Sequence, residues 1–282
     1  LISGIYESFL SDEKRKIGAY YTPRHLANLV VDQAFENSRD ILAERIYDGA
    51  CGSGILLTTA YRRMLAYAEA KAQRSLHFEE RKKLLEDHIF GSDLNISACR
   101  VTAFSLYLSM LEGLQPTDIA DLQDNNNVKL PQLSKSNIKA GAETGDFFSD
   151  KNYYSESSLF TILLSNPPWV EPSKDRILES DRWAKRENFK FPRRQTAGAF
   201  MLRARDYLAP GGRFCLILPI SILAAPTSKN FVKTWLDHYQ VSHLINFGDL
   251  RKLLFKNAKQ PCIVAIGQPR KKQFIGKIPR SE

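Results

Sequence analysis

The 282-residue chain has few cysteines, no long apolar run and almost no net charge over its first 250 residues. Cys51, Cys99, Cys215 and Cys262 lie far apart without a C-x-x-C pair. That pattern argues against a disulfide framework and for free thiols in a reducing, cytoplasmic compartment. The same spacing argues against zinc. None of the five histidines (His25, His77, His88, His238, His243) stands at metal-ligand spacing, so no metal is expected. No stretch approaches the ~20 apolar residues of a membrane span, and the longest run, Phe214–Ile222, is interrupted by Pro219. A soluble protein without a membrane partner is expected. The opening Leu1-Ile2-Ser3 carries neither an initiator Met nor a signal-peptide pattern, and is expected to be the edge of a fragment.

What is present is ordinary for a globular chain: 43% hydrophobic, 11% aromatic and 25% charged residues, which excludes global disorder. The formal charge of +9 is concentrated at one end. Residues 251–282 hold nine Lys/Arg against Glu282, whereas the first 250 residues sum to +1. A second basic stretch, with Lys185, Arg186, Lys190, Arg193 and Arg194, is mixed with Asp175, Glu179, Asp181 and Glu187. It fits a solvated loop and a phosphate-contacting one equally well.

Leu26–Ala34 carries apolar residues at helical spacing behind Thr22-Pro23. Arg45–Tyr47 predicts a short strand ending in a glycine-rich turn, followed by a helix over Ile55–Ala72 and a charged helical stretch over 74–86. Ile89–Gly91 predicts a second strand ending at Asp93, then a helix through Ala98–Leu111. The polar, Asn-rich Asp118–Ser136 predicts a surface loop. Leu159–Leu164 (LFTILL) and Arg213–Leu218 have the continuous apolar character of strands buried on both faces, with a helix over Phe200–Leu208 between them. Strands alternating with helices predict a doubly wound, mostly parallel α/β sheet. Ligands of such sheets sit beyond the carboxyl ends of the strands.

Three features stand at those ends. Asp48-Gly49-Ala50-Cys51-Gly52-Ser53-Gly54 places three glycines where a backbone can approach a ligand, before a helix N-terminus with free N–H groups. No Gly-Lys-Ser/Thr follows, which disfavours a nucleoside triphosphate loop. Asp93 repeats the strand-end acid and suits ribose hydroxyls, although 45 positions separate it from Asp48 where about 20 is usual. Asn166-Pro167-Pro168-Trp169 follows the most apolar strand. There the Asn amide and the Pro167 carbonyl can both accept from one exocyclic amine, and Trp169 offers a flat face for a base.

These motifs resemble the D-P-A-C-G-S-G cofactor loop and the N-P-P-Y/F/W motif of S-adenosylmethionine-dependent DNA adenine-N6 methyltransferases. Gly18-Ala19-Tyr20-Tyr21-Thr22-Pro23 is similar to the G-x-Y-Y-T-P element of the gamma arrangement, found in type I modification subunits and fused type IIG restriction–modification enzymes. The resemblance runs from about Ile5 to Ile266. It implies a Rossmann-like seven-stranded methyltransferase sheet with a small N-terminal helical cap, in a prokaryotic cytoplasm. The expected division is 1–40 for the N-terminal helical segment, 41–268 for the catalytic domain and 269–282 for the start of a linker.

By resemblance, Tyr21 and Thr22 hold the methionine end of S-adenosylmethionine, and Asp48, Ala50, Cys51, Gly52 and Gly54 wrap around it. Asp93 binds the ribose, Asp146 the adenine amine, and Phe147 packs on that ring. Asn166 and Pro167, stiffened by Pro168, bind the target N6, and Trp169 stacks on the flipped base. Phe255–Ala258 resembles a segment near that base. Gly49 stands where the family usually has Pro. Cys262, in the apolar run CIVAI, fits the core better than a nucleophile's place. Double-stranded DNA is the implied partner, with a target-recognition domain or specificity subunit and a fused or separate nuclease. The basic C-terminus would form one wall of a DNA cleft. Related N-P-P enzymes that act on RNA or on a protein glutamine amide lack the Tyr20–Pro23 element, and a non-catalytic DNA-binding or assembly module could keep the same fold.

Overall fold

A computed structural model describes residues 22–119, 129–152, 159–250 and 261–270. Its centre is a seven-stranded sheet in the order β3-β2-β1-β4-β5-β7-β6. The strands are β1 (Ile46–Asp48), β2 (Ile89–Asp93), β3 (Ile138–Ala140), β4 (Phe160–Ser165), β5 (Leu208–Pro219), β6 (Tyr239–Asn246) and β7 (Cys262–Pro269). β3, β2, β1, β4 and β5 pair in parallel; β7 lies antiparallel between β5 and β6.

The strand runs are buried on both faces for the expected reason. Ile46, Ile162, Leu163, Leu164 and Leu216–Leu218 are fully enclosed, as continuous apolar strands require when helices cover the sheet. Helix α1 (Arg24–Phe35) buries Leu26, Ala27, Val30, Val31 and Ala34 along one face. These side chains join the same core as the strands. Arg213 on β5 donates from Nε to Ala34 O at 2.7 Å, tying the helix end to the sheet. Residues 24–35 therefore pack into the same core as the sheet.

Helix α2 (Ile55–Ala72) follows the glycine loop and ends with Gln73 in the left-handed region at φ 53°. A separate helix α3 (Phe78–His88) then occupies the charged stretch. Arg81, almost wholly buried, holds it in place by donating to Leu76 O, Met110 O, Glu112 O, Gly113 O and the Glu69 carboxylate. The insertion explains the long spacing from Asp48 to Asp93, because β2 still pairs in parallel with β1. Helix α4 (Ile96–Leu111) leads away from β2. Beyond β4 come α5 (Glu179–Arg186) and α6 (Thr196–Arg203), and α7 (Lys229–His238) precedes β6. The helix expected through Leu208 ends at Arg203; a short 3-10 turn follows and Leu208 already begins β5. Within the polar stretch expected as a loop, Leu133–Ser136 forms a helical turn before the edge strand β3. Among the described residues no helix is long and apolar enough to cross a membrane.

Candidate active site

The connection from β1 to β2 builds one side of the sheet and β4 lies on the other side of β1, so the topological switch point falls between β1 and β4. Asp48 ends β1 and Asn166 directly follows β4. They flank the crevice where ligands of open α/β sheets bind.

The glycine loop is held by its neighbours. Gly52 and Gly54 sit at φ 55° and 82°, conformations that side chains rarely adopt. At Gly54 a Cβ would lie 2.8 Å from the Thr102 methyl of α4, so only glycine allows this approach. At Gly52 a Cβ would meet nothing nearer than Ala50 O at 4.0 Å, which leaves open space over the loop. Gly52 N–H donates to Asp93 Oδ2 at 2.9 Å, and Thr102 Oγ1 donates to Gly52 O at 2.8 Å. Asp93 Oδ1 also accepts from Asn95 N–H at 2.8 Å.

Asp48 is 1% exposed, and its Oδ1 accepts from Ala50 N–H at 3.0 Å and Ser165 Oγ at 2.7 Å. Burial pushes its carboxyl up to about 7, with a further push from the Asp93 charge, against the lowering effect of the two hydrogen bonds. Asp48 thus joins the loop to the end of β4 instead of projecting as an open acceptor. Asp146 is also buried; its Oδ1 accepts from Phe148 N–H at 2.8 Å, and desolvation raises its carboxyl above the usual range. The preceding Gly145 lets this segment reach the end of β2, since a Cβ there would lie 2.2 Å from Asp93 O.

Asn166 donates from Nδ2 to the hydroxyl of buried Thr22 at 3.0 Å. An amide whose NH2 is used in this way presents its oxygen as the acceptor. The following segment is fastened by Thr196 N–H to Val170 O at 3.0 Å and by Arg194, whose guanidinium bonds Ser173 O, Lys174 O, Arg176 O and the Asp181 carboxylate.

Two expected contacts differ. Phe147 is 2% exposed and stacks on Phe200 at 4.1 Å and Tyr207 at 4.5 Å, inside an aromatic pile that continues to Tyr47 and Phe160. Its ring is a core element and has no face left for a cofactor ring. It also accounts for Gly49, where a Cβ would lie 2.3 Å from Phe147 Cδ2. Trp169 is 9% exposed and belongs to the core cluster, so it anchors the Asn-Pro-Pro turn and offers little open stacking face.

Cys51 is buried, and its thiol is raised by hydrogen bonding to neighbouring Cys99 and by burial, as suits a packing residue. Cys262 is likewise in the core. Tyr21, the segment Phe255–Ala258 and most of the basic C-terminus lie outside the described residues. Sequence reasoning missed Thr102, Asn152, Ser165 and Tyr207. Asn152 Nδ2 reaches Tyr47 OH, Ser92 Oγ and Asp146 O, and Tyr207 OH donates to Phe147 O at 2.7 Å. Only Ser165, adjacent to Asn166, carried a local signal.

The sequence pattern of the family described as N-6 DNA Methylase matches residues 1–278. The chain belongs to that family. It is 21% identical over 221 residues to the type II restriction enzyme and methyltransferase RM.BcgI of Heyndrickxia coagulans, covering 78% of this chain and 26% of the relative. Its fold resembles the type I restriction–modification methyltransferase subunit of Streptococcus thermophilus, with a TM-score of 0.62 at 19% identity, over 96% of this chain and 48% of that one. It also resembles DrdV in its DNA complex, with a TM-score of 0.65 at 14% identity, over 95% of this chain and 28% of that one. The chain thus spans about a quarter of the curated relative and about half of the Streptococcus subunit.

Proposed function

We propose that this chain transfers a methyl group from S-adenosylmethionine to N6 of a flipped-out adenine in DNA, as the modification part of a restriction–modification system. The observation that carries this reading is the convergence of Thr22, the Asp48–Gly54 loop, Asp93, Asp146 and Asn166 around one switch point, joined by Ser165–Asp48 and Asn166–Thr22 hydrogen bonds.

The residues fit the cofactor. Open space over Gly52 leaves room for it, and Asp93 and Asp146 supply acceptors for ribose hydroxyls and an adenine amine. Buried Asp48 would fix the loop that holds the cofactor, through Ala50 N–H and Ser165 Oγ. When bound, S-adenosylmethionine supplies an electrophilic methyl group.

The chain's own work is on the amine. Adenine N6 is a poor nucleophile because its lone pair is delocalised into the ring. Asn166 Oδ1 and the Pro167 carbonyl accept its hydrogens, draw them from the ring plane and concentrate density on nitrogen. Thr22 holds the Asn166 amide in that orientation, and Trp169 anchors the turn. Most of the rate gain then comes from positioning and preorganised acceptors. Taking the base out of the duplex costs a few kcal/mol, which DNA contacts must offset.

Double-stranded DNA is the proposed partner, together with a target-recognition domain or specificity subunit and a nuclease domain or subunit. The test is methyl transfer from labelled S-adenosylmethionine to DNA, RNA and protein in parallel. Label on adenine N6 of DNA supports the reading. Label on RNA or a glutamine amide, cofactor binding without transfer, or undiminished transfer by Asn166→Ala overturns it.

A further inference from the structure

Beside the segment that follows Trp169 lies a cleft of about 480 Å³, lined among others by Asp181, Lys185, Phe189, Lys190, Phe191 and Arg194. Its size falls in the range of roughly 300–1,000 Å³ typical of small-ligand sites. The walls are aromatic and fixed. Phe189 packs on Trp183 at 5.6 Å and edge-on to His238 at 5.3 Å. Phe191 rests on Gly198 of α6, where an added Cβ would lie 3.1 Å from Phe191 Cβ. Both rings remain half-buried.

The charges divide in two. Arg194 and Asp181 are spent on each other, Arg194 also on the loop carbonyls and Asp181 also on Leu178 N–H. Lys185 and Lys190 are exposed, and among the described residues neither has a carboxylate within ion-pair distance. Arg186 and Arg193, by contrast, pair with Asp150 and Glu171. The backbone around the cleft is also unusual. Asn188, Arg193 and Arg194 all sit in the left-handed region, at φ 55°, 49° and 57°. Such conformations persist where the surrounding structure imposes them.

Aromatic walls beneath unneutralised lysines are the arrangement that takes one nucleotide of a strand, its base on the rings and its phosphate on the ammonium groups. We propose that this cleft binds a nucleotide of the DNA strand flanking the target adenine, with Lys185 and Lys190 on the phosphate and Phe189 and Phe191 against the base or sugar. The subsite rests on the DNA reading above, and it is separate from the Asn166 pocket. Arg194, which lines the cleft, also holds the segment that follows Trp169 through Ser173 O.

The test measures affinity of the full chain for fluorescein-labelled random-sequence duplex DNA across a salt series. Lys185→Ala with Lys190→Ala should lower the slope of log affinity against log salt by about 1, at ~0.9 per neutralised phosphate. Phe191→Leu should weaken binding about 10-fold through lost stacking, with the slope unchanged. Cofactor affinity should hold in all variants. Lys83→Ala with Lys135→Ala, which removes two exposed lysines elsewhere, should leave the slope unchanged. An unaltered slope in the Lys185/Lys190 variant, or an equal fall in the Lys83/Lys135 control, overturns the subsite. A wild-type chain that methylates DNA while these variants bind it normally overturns the subsite alone; a wild-type chain that methylates no DNA overturns the function itself.

Discussion

Asn166 and Thr22 meet side chain to side chain at 3.0 Å across 144 positions of sequence. The contact joins the segment entering the first helix to the turn leaving the central strand. In the proposed reaction Thr22 is therefore an orienting group for the Asn166 amide. Loss of one preorganised polar contact at a reacting atom costs ~10²–10³ in rate, which is the expected loss for Asn166→Ala with cofactor affinity kept. Thr22→Val removes only the orienting bond, worth about 1 kcal/mol, and should slow transfer several-fold, whereas Thr22→Ser should retain it. Single-turnover transfer beside calorimetric cofactor binding separates these outcomes. Equal activity of the Val and Ser variants would remove Thr22 from the mechanism.

Asp48 sets a pH dependence of known sign. Its carboxyl titrates near 7 in the fold because it is buried, against 3.8 for an ordinary Asp. The folded chain therefore holds a proton that the unfolded chain gives up between these values. Stability from this group is complete below about pH 4 and declines as pH rises to about 7. At 1.36 kcal/mol per unit, the full span amounts to about 4 kcal/mol. Asp48→Asn should flatten that slope in urea titrations of the cofactor-free chain from pH 5 to 8. A wild-type stability that rises over this interval in parallel with the variant would contradict the assignment.

Gly49 and Phe147 form a matched pair, with the ring in the volume a side chain at 49 would need. Gly49→Ala should destabilise by about 1–3 kcal/mol, the usual cost of overpacking. Combining it with Phe147→Leu should recover part of that loss, giving a coupling of about 0.5–3 kcal/mol in a double-mutant cycle. Additive effects would show that the two positions are independent.

Arg81 is a prediction about stability alone. Its buried guanidinium satisfies four carbonyls and Glu69. Arg81→Met strands these acceptors, and about 3 kcal/mol should be lost, as for a broken buried pair. The chemical-denaturation midpoint should fall, while the affinity for S-adenosylmethionine stays unchanged.

The strand ends were legible because each combines an apolar run with an abrupt polar residue: Tyr47 before Asp48, Leu164 and Ser165 before Asn166. Asp93 was legible despite its spacing, since α3 lengthens the connection without altering which strand pairs with β1. β3 was hidden because three residues, one of them Lys139, give no period. Phe147 was misplaced for a related reason. A sequence shows that an aromatic follows Asp146, but its stacking on Phe200 and Tyr207 depends on chain folded back from more than fifty residues away. Thr102 and Asn152 were invisible on the same ground, having long-range partners and no motif.

Arg194 should act on DNA turnover without touching DNA chemistry. Its guanidinium gathers three carbonyls of the segment after Trp169 and grips Asp181 with two nitrogens. A lysine offers a point charge and cannot reproduce that fork. Arg194→Lys should therefore loosen the segment and raise KM for DNA several-fold, with a smaller change in kcat and none in cofactor affinity. Asp181 reports on the same clamp. Burial raises its carboxyl, but the Arg194 and Leu178 hydrogen bonds outweigh this and leave it below the usual range. Its stabilising effect is thus present above the ordinary Asp range and is lost as pH falls through the lowered value. Asp181→Asn should make the loss permanent, and combined with Arg194→Lys it should add little to either change alone. Fully additive effects on KM would show that the two residues do not work as one clamp.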